Sequence, residues 1–118
     1  MTGSETDALK HRVRADLRVA MKEGQKSETR VLRALLSAID QAEALPVEEG
    51  PYVQHDFEAG SAEAARRDLD GAALRTVIER EIDEREAARA EFIRLGLAER
   101  AEAMGEEAGV LARYLGGN

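Results

Sequence analysis

The chain has no cysteine and no tryptophan, and only four of its 118 residues are aromatic. Without cysteine, disulfides, zinc–thiolate sites and thiol nucleophiles are all excluded. With so few aromatic residues, the core has to be built from Leu, Ile, Val, Ala and Met. That composition is typical of packed helices, since sheets are enriched in aromatic and β-branched runs. We therefore predict an all-α fold.

Long hydrophobic runs are also missing. No apolar segment approaches the ~18 residues that a membrane span requires. Residues 1–7 lack the apolar stretch that is typical of a signal peptide. We therefore expect a soluble, cytoplasmic protein that does not contact membranes.

Histidine is scarce, because His11 and His55 are the only two in the chain. A transition-metal site normally needs three or more nitrogen, sulfur or carboxylate ligands. Asp7 lies four residues before His11 and is expected to form no more than a surface pair with it. We expect no metal site, no cofactor and no catalytic residue.

Apolar residues recur at helical spacing in four segments of the chain. Asp7, Ser27 and Asp70 are suitable N-cap residues, and Gly24 and Gly96 are suitable residues to follow a helix end. The predicted helices cover residues 7–23, 27–44, 70–95 and 97–115. Short links predict two antiparallel helix pairs within a single domain that comprises residues 1–118.

The segment between the second and third helices is predicted to be irregular. Residues 46–60 contain Pro46, Gly50, Pro51 and Gly60 and show no apolar periodicity. A structureless connection of this length is unusual in a compact domain. We predict a long, mobile loop here, followed by a short helix over residues 61–67.

Two blocks of the sequence resemble the GatB/YqeY family. Residues 13–22 (VRADLRVAMK) and 30–39 (RVLRALLSAI), followed by Ala42 and Glu43, are similar to the family pattern LREDLKAAMK…VLRxLLSAIxxAE. The second block, from Ile78 to Leu115, follows the pattern EI…R…A…F/Y…G…E…VL…YL without a gap. The two blocks occur in order and cover nearly the whole chain outside residues 46–60.

The resemblance implies a helical domain, which in family members precedes a small three-helix tail. Related tails help to hold tRNA in the B subunit of the tRNA-dependent amidotransferase. Because the sequence follows the pattern only as far as Leu115, we expect the helical domain without the tail. The resemblance implies a YqeY-type accessory or adaptor protein, with tRNA, the amidotransferase or another translation-related protein as its partner.

The alternative implied by the family name is a component of a glutamine-dependent amidotransferase, a carbon–nitrogen ligase, that is active only with its partners. The chain shows neither a Ser/Lys amidase signature nor a phosphate-binding glycine loop. We therefore expect no enzyme activity from the chain by itself, which a glutaminase assay would test.

A row of cations is the best candidate for a functional site. Lys10, Arg14, Arg18 and Lys22 are spaced four apart, and Lys26 extends the row. Residues 9–36 contain eight basic and three acidic residues, a net +5 in a chain of net charge −7. Such a row can bind nucleic-acid phosphates, whereas no aromatic residue is interleaved to stack on bases. A solvated face and an acidic protein partner are the alternatives.

A second polar group projects onto the apolar side of the third helix. Glu81, Arg85 and Arg89 share that side with Ile78 and Ile82 at 100° per residue. A buried unpaired charge costs several kcal/mol. We therefore predict a Glu81–Arg85 pair at the core edge, and contact with a ligand or partner is the alternative.

Overall fold

The computed structural model describes residues 5–44 and 69–116. This part of the chain contains four α-helices and no strand, so the predicted all-α fold is confirmed. The helices are α1 (Glu5–Lys22), α2 (Lys26–Ala44), α3 (Gly71–Arg94) and α4 (Ala98–Ala112). The predicted loop over 46–60 and the predicted short helix over 61–67 lie outside the described residues.

Two helical hairpins, α1–α2 and α3–α4, turn on the glycines that the sequence predicts. Gly24 has a φ of +70° and Gly96 a φ of +78°, which are left-handed conformations that favour glycine. In both turns the N–H after the glycine donates to the carbonyl five residues earlier, at 2.9 and 2.8 Å. These bonds satisfy carbonyl groups at the helix ends in the Schellman arrangement.

Of the three predicted N-caps, Asp70 is confirmed, because its Oδ1 accepts a hydrogen bond from the Ala73 N–H at 2.8 Å. The predictions that Asp7 and Ser27 are N-caps were wrong, since α1 begins at Glu5 and α2 at Lys26. Both residues therefore lie inside the first turn of their helices. A capping residue type at a suitable position does not fix where a helix begins.

The first turn of α1 is fixed by a contact with the segment before α3. The Thr6 hydroxyl is buried and donates to the Leu69 carbonyl at 2.9 Å. Because the partners are 63 residues apart, helical periodicity alone does not predict the bond. The contact stabilises a turn that begins before the predicted start of α1.

The core lies between the α1–α2 hairpin and one end of the α3–α4 hairpin. From Arg89 to Arg100 no residue is buried, and Ile93, Leu95 and Leu97 are 56%, 53% and 38% exposed. Within the described ranges, no other helix covers this tip. The buried hydrophobic residues are Val13, Ala20, Val31, Leu32, Leu35, Ile39, Leu69, Leu74, Ile78, Ala101, Ala108, Leu111 and Tyr114.

Candidate nucleic-acid interface

Four of the five predicted basic residues lie together on the surface. Arg14, Arg18 and Lys22 are exposed on α1, and Lys26 is exposed at the start of α2. None of them forms an ion pair with another residue of the described ranges 5–44 and 69–116. Four residues of helix rise by about 6 Å, so the three on α1 are distributed over about 12 Å of helix. We call Arg14, Arg18, Lys22 and Lys26 the basic face.

Lys10, the fifth member of the predicted row, is in a different environment. Its Nζ lies 2.6 Å from Glu43 Oε1 and 3.3 Å from Asp40 Oδ1, and its side chain is only 13% exposed. Burial lowers the pKa of Lys10, but hydrogen bonds and attraction to Glu43 and Asp40 outweigh it and raise the pKa overall. Lys10 therefore remains charged and connects α1 to the end of α2.

Two acidic residues lie beside the basic face in the sequence, Asp16 and Glu23. Glu23 follows Lys22, is exposed and has no ion pair in the described ranges, whereas Asp16 is occupied. Asp16 is the only carboxylate between Ala8 and Lys22. Its Oδ2 accepts a hydrogen bond from the hydroxyl of Tyr114, which follows α4 and is buried. Burial and this bond raise the pKa of Tyr114 to about 12. Val13 and Ala20 place the opposite side of α1 in the core, so the basic face is directed to solvent.

The α1–α2 turn adds two arginines that the sequence analysis left out of the row. An open depression of about 550 Å³ lies between the end of α1 and the start of α2. We call it the turn pocket, and it is lined by Met21, Gly24, Lys26, Thr29, Arg30 and Arg33. A spacing of four residues identifies cations along α1 only. The antiparallel turn places the first two turns of α2 beside the end of α1.

Met21 connects the turn pocket to the basic face. It also lines a second open depression, of about 780 Å³, together with Ala15, Arg18, Val19 and Lys22. Met21 is 49% exposed, although it follows Val13 and Leu17 at helical spacing. Arg33 Nη2 lies 3.7 Å from Met21 Sδ, which places a cation directly beside the thioether.

Glu81 and Arg85 belong to a larger polar cluster in the interior. Arg85 Nη1 lies 2.9 Å from Glu81 Oε1, and Arg85 Nε lies 3.1 Å from Glu107 Oε1. Arg30 Nε lies 2.9 Å from the second oxygen of Glu107, whose side chain is only 2% exposed. Each of these charged groups therefore has a partner in the cluster, and the arrangement joins α2, α3 and α4.

Sequence reasoning missed Glu107 as a member of this cluster. A signal was present, because Glu107 falls between Met104, Ala108 and Leu111 on the apolar side of α4. A carboxylate on the apolar side of a helix requires a cation as its partner, as we expected for Glu81. Its partners, however, lie on two other helices: Arg30 on α2 and Arg85 on α3.

Arg89 does not take part in the cluster. Its side chain lies against Gly105 of α4, where a Cβ would be 3.2 Å from Arg89 Nε. Arg89 is exposed and makes no ion pair within the described ranges. Gly105 thus leaves room for the Arg89 side chain to lie across α4.

The described residues, 5–44 and 69–116, also bear on metal binding and membrane insertion. They contain no group of three or more His, Cys, Asp or Glu side chains that could hold a metal ion. In the same part of the chain, no helix is both long enough and apolar enough to cross a membrane.

Comparison with known proteins gives one match. No curated protein and no solved structure matches the chain. The family model described as "Yqey-like protein" matches residues 10–117. The matched region includes the basic face, the turn pocket, the Glu81–Arg85–Glu107 cluster and the exposed hairpin tip. The chain therefore belongs to the YqeY family.

Proposed function

We propose that this protein is a non-catalytic adaptor that binds transfer RNA through its phosphate backbone. The observation that supports this most is the basic face, where four exposed cations lack ion-pair partners in the described ranges. Paired cations such as Lys10 and Arg85 are engaged in the fold. The basic face therefore concentrates positive charge in a chain whose net charge is −7.

Phosphate contacts suit this surface better than base contacts do. Lys and Arg side chains neutralise phosphates whatever the sequence, and each contact releases counterions. In the described ranges, no aromatic side chain lies among the four residues to stack on a base. Binding should therefore be weak, salt-dependent and indifferent to sequence.

An adaptor also needs a second surface for a protein partner. Ile93, Leu95 and Leu97 form an exposed apolar patch at the tip of the α3–α4 hairpin. Exposed apolar patches of this kind are used in protein–protein contacts. We propose a translation-related protein, such as the tRNA-dependent amidotransferase, as the partner here, which places the function in the cytoplasm.

Fluorescence anisotropy with labelled transfer RNA tests the proposal. The variant Arg14→Gln/Arg18→Gln/Lys22→Gln should weaken binding by about tenfold or more at ~50 mM salt, and it should flatten the dependence of log K on log salt by about 2. The matched control is Arg75→Gln/Arg80→Gln/Arg100→Gln. It changes the net charge equally and alters three exposed arginines that have no ion pair in the described ranges.

The control triple variant should bind transfer RNA nearly as the natural chain does. Equal losses in both triple variants would show that only the total charge matters and would reject the basic face. Absence of binding by the natural chain at low salt would reject the proposal itself.

A further inference from the structure

We propose that the turn pocket binds a terminal phosphomonoester, the dianionic phosphate at the end of a nucleic-acid strand. This inference rests on the proposed function, because it takes a nucleic acid as the molecule that presents the phosphate. It goes beyond that function in assigning a defined chemical group to a defined pocket. The basic face would then hold the internal phosphates of the same strand.

Lys26, Arg30 and Arg33 line the pocket, and its lining within the described ranges includes no carboxylate. Lys26 makes no ion pair within the described ranges, and the one side-chain hydrogen bond of Arg33 there is to Met21 Sδ, a weak acceptor. Arg30 uses Nε to bind Glu107, and its side chain remains 60% exposed. Its Nη1 and Nη2 have no acceptor in the described part of the chain.

The nearest carboxylate of the first turn of α2 is already occupied. Glu28 Oε2 lies 2.7 Å from Arg113 Nη2, at the far end of α4. Glu28 therefore does not neutralise the pocket, and Glu23, which precedes Gly24, is the exposed carboxylate beside it in the sequence. Buried Glu107 also fixes one end of the Arg30 guanidinium, which reduces the entropy that Arg30 would lose on binding an anion.

A phosphomonoester matches this arrangement better than an internal phosphodiester does. It carries a charge of about −1.5 to −2 at pH 7 and has three strong acceptor oxygens. Each guanidinium can donate two parallel hydrogen bonds to such a group. An internal diester has one charge and two unesterified oxygens, so it would leave part of the donor set of Lys26, Arg30 and Arg33 unused.

The remaining lining of the pocket suits the nucleotide that bears this phosphate. Met21 and Thr29 provide apolar contact surface beside the cations, and Met21 is 49% exposed. A volume of about 550 Å³ lies within the range of small-molecule sites. Lys26 belongs to both surfaces, so a strand that follows the basic face along α1 would reach the pocket at its end.

The test compares one short single-stranded RNA sequence in three forms: with a 5′-phosphate, with a 3′-phosphate and with hydroxyl groups at both ends. One phosphorylated form should bind about tenfold more tightly than the hydroxyl form, as charge-assisted hydrogen bonds allow. Arg33→Gln should abolish this preference and leave the binding of the hydroxyl form nearly unchanged. Arg75→Gln, the matched control, should retain the preference.

The pH dependence provides a second readout. The second proton of a phosphomonoester leaves near pH 6, so the preference should grow from pH 5.5 to pH 7.5. Arg33 is exposed, and we expect Arg33→Gln to keep the circular dichroism spectrum of the natural chain. Adenosine 5′-monophosphate and inorganic phosphate, each titrated alone, separate a strand end from a free phosphate.

Each outcome decides between the two proposals. Equal binding of all three RNA forms, with the basic-face variants still weakened, overturns the pocket and leaves the proposed function standing. The three RNA forms could instead bind equally while adenosine 5′-monophosphate binds in a way that depends on Arg33. That result would assign the pocket to a free mononucleotide and overturn the proposal that it binds a strand end. Failure of every RNA to bind overturns both proposals.

Discussion

Arg85 Nε lies 3.1 Å from Glu107 Oε1, and the carboxylate that it meets is only 2% exposed. The other oxygen of Glu107 accepts from Arg30 Nε at 2.9 Å. One buried carboxylate thus joins α2, α3 and α4 at a single point. Removing one partner of a buried ion pair is strongly destabilising, because it leaves a charge without compensation.

Glu107→Ala should therefore lower the free energy of unfolding by about 3 kcal/mol. The control is Glu106→Ala, since Glu106 is the exposed neighbour of Glu107 on α4. A surface change of this kind should stay within about 0.5 kcal/mol. Urea unfolding followed by circular dichroism measures both values, and similar losses in the two variants would contradict the structural role of Glu107.

The two arginines of the cluster should not be equivalent. The Arg85 side chain is 14% exposed and that of Arg30 is 60% exposed, so solvent screens the Arg30 pair more strongly. Arg85→Ala should cost about 1–3 kcal/mol, more than Arg30→Ala or the exposed control Arg100→Ala. Thermal midpoints of the three variants provide the comparison, and equal shifts would show that Arg85 is an ordinary surface arginine.

The raised pKa of Tyr114 leads us to expect a lower free energy of unfolding in alkali. Its pKa is raised to about 12, so the folded state holds the phenolic proton more tightly than the unfolded state does. This contribution is fully present below pH ~10 and is lost as pH rises towards ~12, by at most about 2 kcal/mol. The pKa of Lys10 is also raised, and this contribution is shared by both chains compared below.

Two measurements check the Tyr114 prediction. The unfolding free energy of Tyr114→Phe should fall less than that of the natural chain between pH 10 and pH 12. In a Tyr52→Phe variant, Tyr114 is the only tyrosine left, and its ultraviolet absorbance should titrate near 12. A midpoint near the ordinary value of about 10 would contradict the contact with Asp16.

Replacing two glycines by alanine should change the free energy of unfolding in opposite directions. Gly24→Ala places a side chain at a φ of +70° and should destabilise the chain by about 1–2 kcal/mol. Gly109 lies inside α4, and a Cβ there would meet no atom within 4 Å. Gly109→Ala should therefore stabilise by about 0.5–1 kcal/mol. Chemical denaturation of both variants tests the pair, and a stabilising Gly24→Ala would contradict the left-handed turn.

Sequence alone predicted the features that depend on near neighbours. The two hairpin glycines and the Asp70 cap follow from local backbone chemistry, since their hydrogen bonds connect residues no more than five apart. The Glu81–Arg85 pair lies on one turn of helix and is equally local. Helical periodicity also predicted the four helices.

The features that sequence missed depend on distant partners. Lys10 has the spacing of the basic row, yet Glu43, which binds it, is 33 residues away. Arg30 and Glu107 are 77 residues apart. Periodicity shows which side of a helix is apolar, but it does not show how far a neighbouring helix extends. Met21 and Leu95 are exposed for that reason.

The three lysines of the chain allow the basic face to be tested as the RNA-binding surface in one experiment. Lys22 and Lys26 belong to the basic face, whereas Lys10 is held by Glu43 and Asp40 and serves as an internal control. Acetylation rates of the three side chains, measured by mass spectrometry with and without transfer RNA, report directly on which surface the RNA covers.

We expect transfer RNA to slow the acetylation of Lys22 and Lys26 severalfold, because phosphates cover their ammonium groups. Lys10 should react slowly in both samples, since its Nζ is already paired and largely buried. The protection should disappear at high salt, as expected for phosphate contacts. Unchanged acetylation rates at Lys22 and Lys26, under conditions in which anisotropy shows that the RNA is bound, would contradict the basic face as the binding site.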